Sequence, residues 1–241
     1  MSLRDELLRH QILLMRLVRT QAKDTKKIIK KAEAVILEAI RTGNFFNLQI
    51  KLEAVLNALP GTALELVRSL AIYESKFSYK TLKKHNKDTK PITESVAITA
   101  AETVKVATTL HRPSQTIENT YTKFATSIVV RQIQLVRDAQ VKELPKDEMV
   151  GLVTAQTAGL FSYQNLALAG LAVIGTANEV RAEVARANDY KIEWSAILDE
   201  STCGFCEDQD GQIFENSEEN EIPAHANCRC TWIIVDAEEI D

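Results

Sequence analysis

Two short runs near the C-terminal end contain all four cysteines of the chain: Cys203-Gly204-Phe205-Cys206 and His225-Ala226-Asn227-Cys228-Arg229-Cys230. A Cys-x-x-Cys turn can direct two thiolates at one ion, and ligands from a second, distant loop can complete a tetrahedron around it. The 21 residues between Cys206 and Cys228 are close to the spacing of zinc ribbons. The pattern therefore predicts a small module at this end of the chain, clamped by a structural zinc ion.

Five side chains compete for the four positions of such a site. We favour Cys203, Cys206 and Cys228, with either His225 or Cys230 as the fourth ligand. In a straight strand the side chains of residues 228 and 230 point to the same face, so both thiols could reach one ion. A site closed by four protein ligands leaves no position for water or substrate, which is typical of a structural metal.

The same residues leave other chemistry open. Disulfide bonds could form outside a reducing cytoplasm, although a core of 241 residues does not require them. A thioredoxin-like redox site would need its Cys-x-x-Cys inside a βαβ unit, whereas Asp210-Gly211 just after it favours a hairpin turn. A nucleophilic pair of Cys228 and His225 is conceivable, but metal binding accounts for more of the clustered residues. The chain holds no P-loop, dinucleotide-binding, zincin or nucleophile-elbow motif, so we expect a protein that is not an enzyme.

Charge is divided unevenly along the chain. Residues 1–90 carry 18 Lys/Arg against 9 Asp/Glu, whereas residues 141–241 carry 6 against 20, within a total net charge of −4. A basic front and an acidic rear suggest different partners, and nucleic acid is a possible partner of the basic part. Lys and Arg that only solvate helix faces are the simpler interpretation, since neither interleaved aromatic residues nor a DNA-binding motif accompanies them. No secretion signal is visible, so we expect synthesis in a cytoplasm.

Upstream of the cysteines, apolar residues recur at the helical period over most of the chain. Pro60-Gly61 is expected to end one helix, and the polar run Lys83–Pro91 is expected to be a linker. The predicted helices cover residues 2–19, 24–41, 48–59, a segment around 66–77, residues 92–111 and 117–143, and a further helix that begins at Asp147-Glu148 after Pro145.

The pattern as a whole predicts a mainly α fold. We expect an elongated helical bundle, followed by a small C-terminal α+β module with a β-hairpin that the Cys and His residues clamp. The predicted division is a basic N-terminal helical segment (1–90), a central helical body (91–193) and the C-terminal module (194–241).

Residues 149–178 contain no charged side chain and are rich in Ala and Gly. A membrane span needs about 20 predominantly apolar residues, but the uninterrupted apolar run here, Leu166–Gly175, is half that length. The composition favours a helix buried between other helices, whose small residues allow close approach of the backbones.

The C-terminal residues also resemble the signature of a known family. That signature is a Trp, an Asp before Thr-Cys-x-x-Cys, an Asp-Gly turn, and a final Pro-x-His-x-x-Cys-Arg-Cys, as in the phage Mu F-like head morphogenesis family. Here Ser201 stands where the family commonly has Arg, and Ala224 and Ala226 stand where it often has Pro. The matching residues are Trp194, Leu198-Asp199, Thr202, Cys203, Cys206, Asp210-Gly211, Phe214, Pro223, His225 and Cys228-Arg229-Cys230.

The resemblance implies a minor head protein of a tailed bacteriophage, a structural component inside the virion head. Such proteins are present in several copies, associate with the portal, capsid or scaffold, and influence head morphogenesis, DNA packaging or DNA ejection. The basic N-terminal part would then be the region that could contact packaged DNA. An alternative is an ejection protein that leaves with the genome and inserts residues 149–178 into the host envelope. An effector is a third interpretation, which the missing catalytic motifs disfavour.

Overall fold

The structure is a computed structural model that describes residues 2–107, 114–160, 164–217 and 220–235. Its helices are α1 (Leu3–Thr42), α2 (Leu48–Leu56), α3 (Ala58–His85), α4 (Glu94–Thr103), α5 (Ile117–Val141), α6 (Lys146–Gly159), α7 (Asn165–Arg186) and α8 (Gly204–Gln209). Its strands are β1 (Lys105–Val106), β2 (Gln115–Thr116), β3 (Lys191–Ser195), β4 (Ile213–Phe214) and β5 (Thr231–Val235). The predicted fold class is therefore confirmed: helices dominate, and a small antiparallel sheet lies near the C-terminal end.

The two helices predicted at the start of the chain are one continuous helix, α1. Residues 1–42 contain neither Gly nor Pro, so nothing in this stretch interrupts the backbone hydrogen bonds. Ser2 and Asp5 form a reciprocal capping box at its first turn, and Gly43 ends it with a left-handed φ of 72°. One face of α1 is buried along its whole length, which makes it a long edge of the core.

The predicted end of a helix at Pro60-Gly61 is wrong. The interruption lies three residues earlier, at Asn57, between α2 and α3. Pro60 falls within the first turn of α3, where its missing N–H would have no intrahelical acceptor in any case. The predicted linker is only partly a loop, because α3 continues to His85 before the chain leaves the helix.

The helix predicted over residues 92–111 is shorter than expected. Thr93 caps α4, but the helix ends at Thr103 and the chain turns into β1, which pairs antiparallel with β2. The β-branched residues Val104 and Val106 favour this extended conformation over a longer helix. His111 lies outside the described residues. The long helix predicted up to residue 143 is confirmed by α5, and α6 begins next to Asp147 as predicted.

Helix α7 lies at the centre of the fold and packs against α1, α3 and α4. Nearly all of its residues from Ala167 to Ala185 are buried, which agrees with the buried helix expected for this uncharged stretch. Among the described residues, Leu48–His85 is the helical stretch that is long and apolar enough to cross a membrane by length and composition. This is weak support for a membrane span, because core helices of soluble proteins meet the same criterion.

Gly175 is the point of closest approach between α7 and its neighbours. A Cβ at this position would lie 2.8 Å from Cγ1 of Val106 and 3.4 Å from Cδ of Pro223. At Gly170, one and a half turns earlier on the same helix, the nearest atom to an added Cβ is Cγ1 of Val18, at 4.0 Å. The 2.8 Å distance at Gly175 is too short for a methyl group, whereas the 4.0 Å distance at Gly170 is ordinary van der Waals contact.

These distances predict opposite effects for the same substitution on one helix. Gly170→Ala is expected to raise the free energy of unfolding by up to about 1 kcal/mol, because Ala is the better helix former. Gly175→Ala is expected to lower it by about 1–2 kcal/mol, because the clash with Val106 outweighs that gain. Urea unfolding of both variants measures the difference. Changes of the same sign in the two variants would contradict the close approach at Gly175.

The C-terminal sheet has the strand order β4-β3-β5, with both pairs antiparallel. Trp194 on β3 lies directly opposite Trp232 on β5, and their rings meet edge to face with centroids 5.3 Å apart. Side chains of β3 and β5 share one apolar core with α1 and α7. The predicted division at residue 194 falls inside β3, which begins at Lys191.

Candidate metal centre

The first pair of cysteines flanks the start of a short helix. Cys203 is the N-cap of α8, and its Sγ accepts a hydrogen bond from the backbone N–H of Cys206 at 3.4 Å. The loop before it is held by Thr202, whose Oγ1 accepts from Asp199 N at 2.9 Å and donates to the carbonyl of Ile197. This capped turn fixes both thiols on one side of α8.

His225 presents one ring nitrogen to that pair. Its Nε2 lies 3.2 Å from Sγ of Cys203 and 3.2 Å from Sγ of Cys206. Its Nδ1 lies 2.9 Å from the carbonyl oxygen of Ala226 and is therefore the nitrogen that carries the proton. A backbone acceptor on one nitrogen leaves the lone pair of the other directed at the thiols, which is the arrangement that metal-binding histidines show.

Cys228 and Cys230 approach the same site from the other side. The Sγ atoms of Cys206 and Cys228 are 3.9 Å apart. The ligand atoms form two overlapping groups, each within 4.8 Å: Cys203, Cys206 and His225 in one, and Cys206, Cys228 and Cys230 in the other. Residues 228–230 precede β5 and are not part of the straight strand assumed from the sequence. The structure thus brings together all five predicted residues, with Cys206 common to both groups.

Three of the observed spacings lie near the edges of a tetrahedral zinc site, within two groups of three ligand atoms that share Cys206. Zinc–sulfur bonds of about 2.3 Å imply a sulfur–sulfur edge of about 3.8 Å in a tetrahedron. With a zinc–nitrogen bond of about 2.05 Å, the sulfur–nitrogen edge is about 3.6 Å. The observed Cys206–Cys228 separation equals the first edge within 0.2 Å, and the two contacts of His225 are a few tenths of an ångström shorter than the second. Thiolate and imidazole donors are also the set that zinc prefers.

Hydrogen bonds between the thiols of Cys206 and Cys228 shift their pKa values in opposite directions. The thiols of Cys206 and Cys230 lower the pKa of Cys228, whereas the same contact with Cys228 raises the pKa of Cys206. Cys228 is therefore more acidic than Cys206, and these hydrogen bonds outweigh burial, which by itself raises the pKa of Cys228. A metal cation bound by these sulfur atoms would take the place of the protons in the hydrogen bonds between the thiols.

The structure also bears on the other chemistry considered for these residues. The four cysteines are free, and a separation of 3.9 Å between sulfur atoms is far longer than a disulfide bond of about 2.05 Å. A short helix, α8, does begin directly after Cys203, and Asp210-Gly211 forms a turn before β4, with a left-handed φ of 80° at Gly211. The neighbouring strands β3 and β4 are nevertheless antiparallel, so the site lacks the βαβ setting of a thioredoxin-like motif.

An ion pair joins the loop before the first cysteines to the loop that carries the last two. The guanidinium of Arg229 donates two hydrogen bonds of 2.5 Å to the carboxylate of Asp199. This bidentate contact, together with the N–H of Ser201, lowers the pKa of Asp199 to about 2. The carboxylate therefore stays charged at any pH at which the thiols and His225 could bind a metal. It ties the two halves of the candidate site together.

Residues on α7 that the sequence analysis did not select hold the start of β5. The Oδ1 of Asn178 accepts hydrogen bonds from Trp232 N (2.7 Å) and Thr231 Oγ1 (3.1 Å). Its Nδ2 donates to Ile174 O (2.9 Å) and Cys230 O (3.4 Å). Because Asn178 is fully buried, these four bonds satisfy an amide that would otherwise destabilise the core. The signal available in the sequence was a polar residue at the end of the uncharged stretch 149–178.

Arg181, one turn further along α7, makes a second buried contact. Its Nη1 donates to Trp232 O at 3.0 Å and to Thr231 Oγ1, and its Nη2 lies 3.6 Å from Oε2 of Glu74 on α3. Both Arg181 and Glu74 have 0% exposure. Burial lowers the pKa of Arg181, and the charge of Glu74 offsets part of this effect. This ion pair therefore connects the helical body to the strand that follows the cysteines.

Helix α1 completes this connection. Nε2 of His10 lies 2.5 Å from Oε1 of Glu74, and its ring stacks on Phe77 with centroids 3.7 Å apart. Gln11 donates from Nε2 to the carbonyl oxygens of Arg229 (3.2 Å) and Cys230 (3.4 Å). His10 is thus a buried core residue whose partner is the carboxylate of Glu74. Side chains of α1, α3 and α7 thus fix the backbone that presents Cys228 and Cys230.

Comparison with known families adds to this geometry. Residues 160–233 match the family described as Phage Mu protein F like protein. The chain carries a Mu F-like segment. The resemblance predicted from the C-terminal signature is confirmed, and the match covers less than a third of the chain. Comparisons with curated proteins and with solved structures find no match.

The Mu F-like segment begins well before the cysteines. It includes α7 as well as the three-stranded sheet and the candidate metal ligands. The hydrogen bonds of Asn178 and Arg181 give a physical reason for this extent, since α7 supplies the polar partners that β5 needs at its start. The helix and the Cys/His cluster therefore form one structural unit.

Proposed function

We propose that this chain is a structural minor head protein of a tailed bacteriophage, located inside the virion head and associated with the portal or its neighbours. The Mu F-like segment supports a head morphogenesis protein. In this proposal the segment 160–235 is a rigid anchor, and the long helices upstream contact other head proteins. Several copies are present in each particle, and the chain acts in DNA packaging or ejection without chemistry of its own.

The observation that carries this proposal is the Cys/His cluster within the Mu F-like segment. Its donor atoms fall into two groups of three that share Cys206, and Asn178 on α7 holds the start of β5 beside them through a hydrogen bond. Among the described residues, the metal-binding groups of three or more His, Cys, Asp or Glu side chains are those centred on Cys206. Such a cluster can hold a zinc ion for stability and offers no open position to a substrate.

The alternative of membrane insertion through residues 149–178 requires α7 to leave the core. That movement would break the hydrogen bonds of Asn178 and expose the buried charge of Arg181. Flotation of the purified chain with lipid vesicles tests directly whether the chain inserts into a membrane. We expect the chain to remain in the bottom fraction, and its recovery with the vesicles would favour an ejection protein.

The head assignment predicts where the protein is found. In particles of the phage that encodes this chain, quantitative mass spectrometry is expected to detect it in several copies, fewer than those of the major capsid protein. Disruption of the gene is expected to lower the yield of DNA-filled heads, and a copy supplied in trans should restore that yield. A chain absent from both procapsids and mature particles, with normal heads in the disrupted strain, would contradict the proposal.

A further inference from the structure

We propose that the exposed face of α1 between Arg9 and Lys31 binds the phosphate backbone of duplex DNA without reading its sequence. Eleven residues of this segment are exposed, eight of them basic and none acidic. We call this surface the α1 basic face. Its basic residues are Arg9, Arg16, Arg19, Lys23, Lys26, Lys27, Lys30 and Lys31.

Ion pairs within the fold neutralise little of this charge. Asp24 is the one acidic residue of the segment, and it pairs with Lys27 at 2.6 Å. Arg16, Arg19, Lys23 and Lys30 form no ion pair with any residue that the structure describes. A row of like charges on one helix is unfavourable by itself, so an anionic partner would relieve repulsion as well as gain contacts.

The dimensions of the α1 basic face fit duplex DNA. With a rise of 1.5 Å per residue, the segment is about 33 Å long. A DNA strand carries one phosphate per 3.4 Å of axis, so the face could run beside about ten phosphates of one strand. The opposite face of α1 is covered by α2, α6 and α7. The helix therefore cannot enter the major groove deeply and is restricted to the backbone, which carries no direct sequence information.

A membrane surface is the competing anionic partner, and the structure disfavours it. A helix that lies in a membrane interface places an apolar face among the lipid chains. The apolar face of α1 is instead buried in the core, from Leu7 through Ile40. Ile12 and Leu13 are the large apolar residues exposed within the basic face, and both lie near one end of it.

Helix α5 provides an internal comparison. Its exposed positions carry Lys123, Arg131 and Arg137 together with Glu118 and Asp138, so its surface charge is mixed. Lys142, also exposed, is the C-cap residue of the same helix. Replacing these four bases changes the net charge of the protein as much as replacing four on α1, but on a surface without a continuous basic row.

The test uses the full chain and a labelled duplex of 30 base pairs, with fluorescence anisotropy measured at several salt concentrations. The variant of the α1 basic face is Arg16→Gln, Arg19→Gln, Lys23→Gln and Lys30→Gln. The matched control is Lys123→Gln, Arg131→Gln, Arg137→Gln and Lys142→Gln. Circular dichroism and thermal unfolding of all three proteins confirm that they are folded.

The parent is expected to bind two duplexes of unrelated sequence equally, with affinity that falls steeply as salt rises. The α1 variant is expected to lose at least about tenfold in affinity at low salt. Its log–log salt slope is expected to fall in magnitude by up to about 3.6, since each of the four lost phosphate contacts removes about 0.9. The α5 control should keep the slope of the parent. Equal losses of DNA affinity and of salt slope in the two variants would show that only the net charge of the protein matters, and would overturn the proposal. Binding to phosphatidylserine vesicles but not to DNA would also overturn it. Neither outcome depends on the head assignment, because the measurement needs only purified protein.

Discussion

Replacing Cys206 by Ser is expected to remove nearly all bound zinc from the purified protein. Cys206 belongs to both candidate ligand groups, and its Sγ lies 3.2 Å from His225 Nε2 and 3.9 Å from Cys228 Sγ. A hydroxyl in its place is a poor zinc ligand at neutral pH, so whichever four residues complete the site, one position is lost. Mass spectrometry should find about one equivalent of zinc in the parent and little in the variant.

The remaining ligands can be separated by two further variants. His225 lies 3.2 Å from both Cys203 and Cys206, and the carbonyl oxygen of Ala226 orients its ring for metal binding, whereas Cys230 belongs to the group of Cys206 and Cys228. We therefore expect His225→Asn to lose zinc as Cys206→Ser does, and Cys230→Ser to retain most of it. The reverse result would assign the fourth position to Cys230. Parent protein free of zinc, when purified without chelator, would show that the cluster is held by hydrogen bonds alone.

Loss of zinc should also loosen the C-terminal sheet. Binding energy at a structural site is folding energy, because the unfolded chain does not present its ligands together. Chelator is therefore expected to lower the unfolding temperature of the parent and to leave that of Cys206→Ser unchanged. An equal fall in the unfolding temperatures of the two proteins would show that the chelator acts at a place other than the Cys/His cluster.

The candidate site could be predicted because its information is local. Cys203 and Cys206 are close in sequence, as are His225, Cys228 and Cys230, and the capped turn at Cys203 brings the first two thiols together. The choice of four ligands could not be made from spacing. It depends on how the loop between the two sets folds back, and hence on contacts such as the ion pair of Arg229 with Asp199.

Helix boundaries were predicted less well than helix positions. Apolar periodicity located α5, and the composition of residues 149–178 indicated the buried helix that is α7. Periodicity could not show that α1 is continuous, because a polar interval such as residues 20–23 is compatible with either a loop or an exposed turn. Pro60 was taken as the end of a helix when it lies at the start of one, and proline is tolerated in the first turn for the same reason that it interrupts a helix later.

The buried polar connection between the body and the sheet was beyond prediction from sequence. His10, Glu74 and Arg181 come from three helices far apart in the chain, and each residue alone is ordinary on a helix surface. Their roles depend on the packing of α1, α3 and α7 around β5. No local pattern specifies that packing, so long-range charge pairs in the core become visible only in the folded chain.

Arg181→Met is expected to lower the free energy of unfolding by about 3–5 kcal/mol, the range measured when one partner of a buried ion pair is removed. The variant leaves the carboxylate of Glu74 buried at 0% exposure with His10 as its remaining close partner. It also removes the donors to Trp232 O and Thr231 Oγ1 at the start of β5. Methionine fills much of the arginine volume, so the loss is electrostatic and not a cavity effect.

Urea unfolding followed by tryptophan fluorescence is suited to this variant, because both tryptophans of the chain, Trp194 and Trp232, lie in the sheet that Arg181 holds. Arg186→Met is the matched control: Arg186 is on the same helix but 45% exposed, and its pair with Glu183 is expected to contribute less than about 1 kcal/mol. Adding Glu74→Gln to Arg181→Met should recover part of the loss, since it removes the unpaired buried charge. If Arg181→Met were no less stable than Arg186→Met, the ion pair could not be what fixes β5 to the helical body, and the anchoring would have to come from Asn178 and the shared apolar core alone.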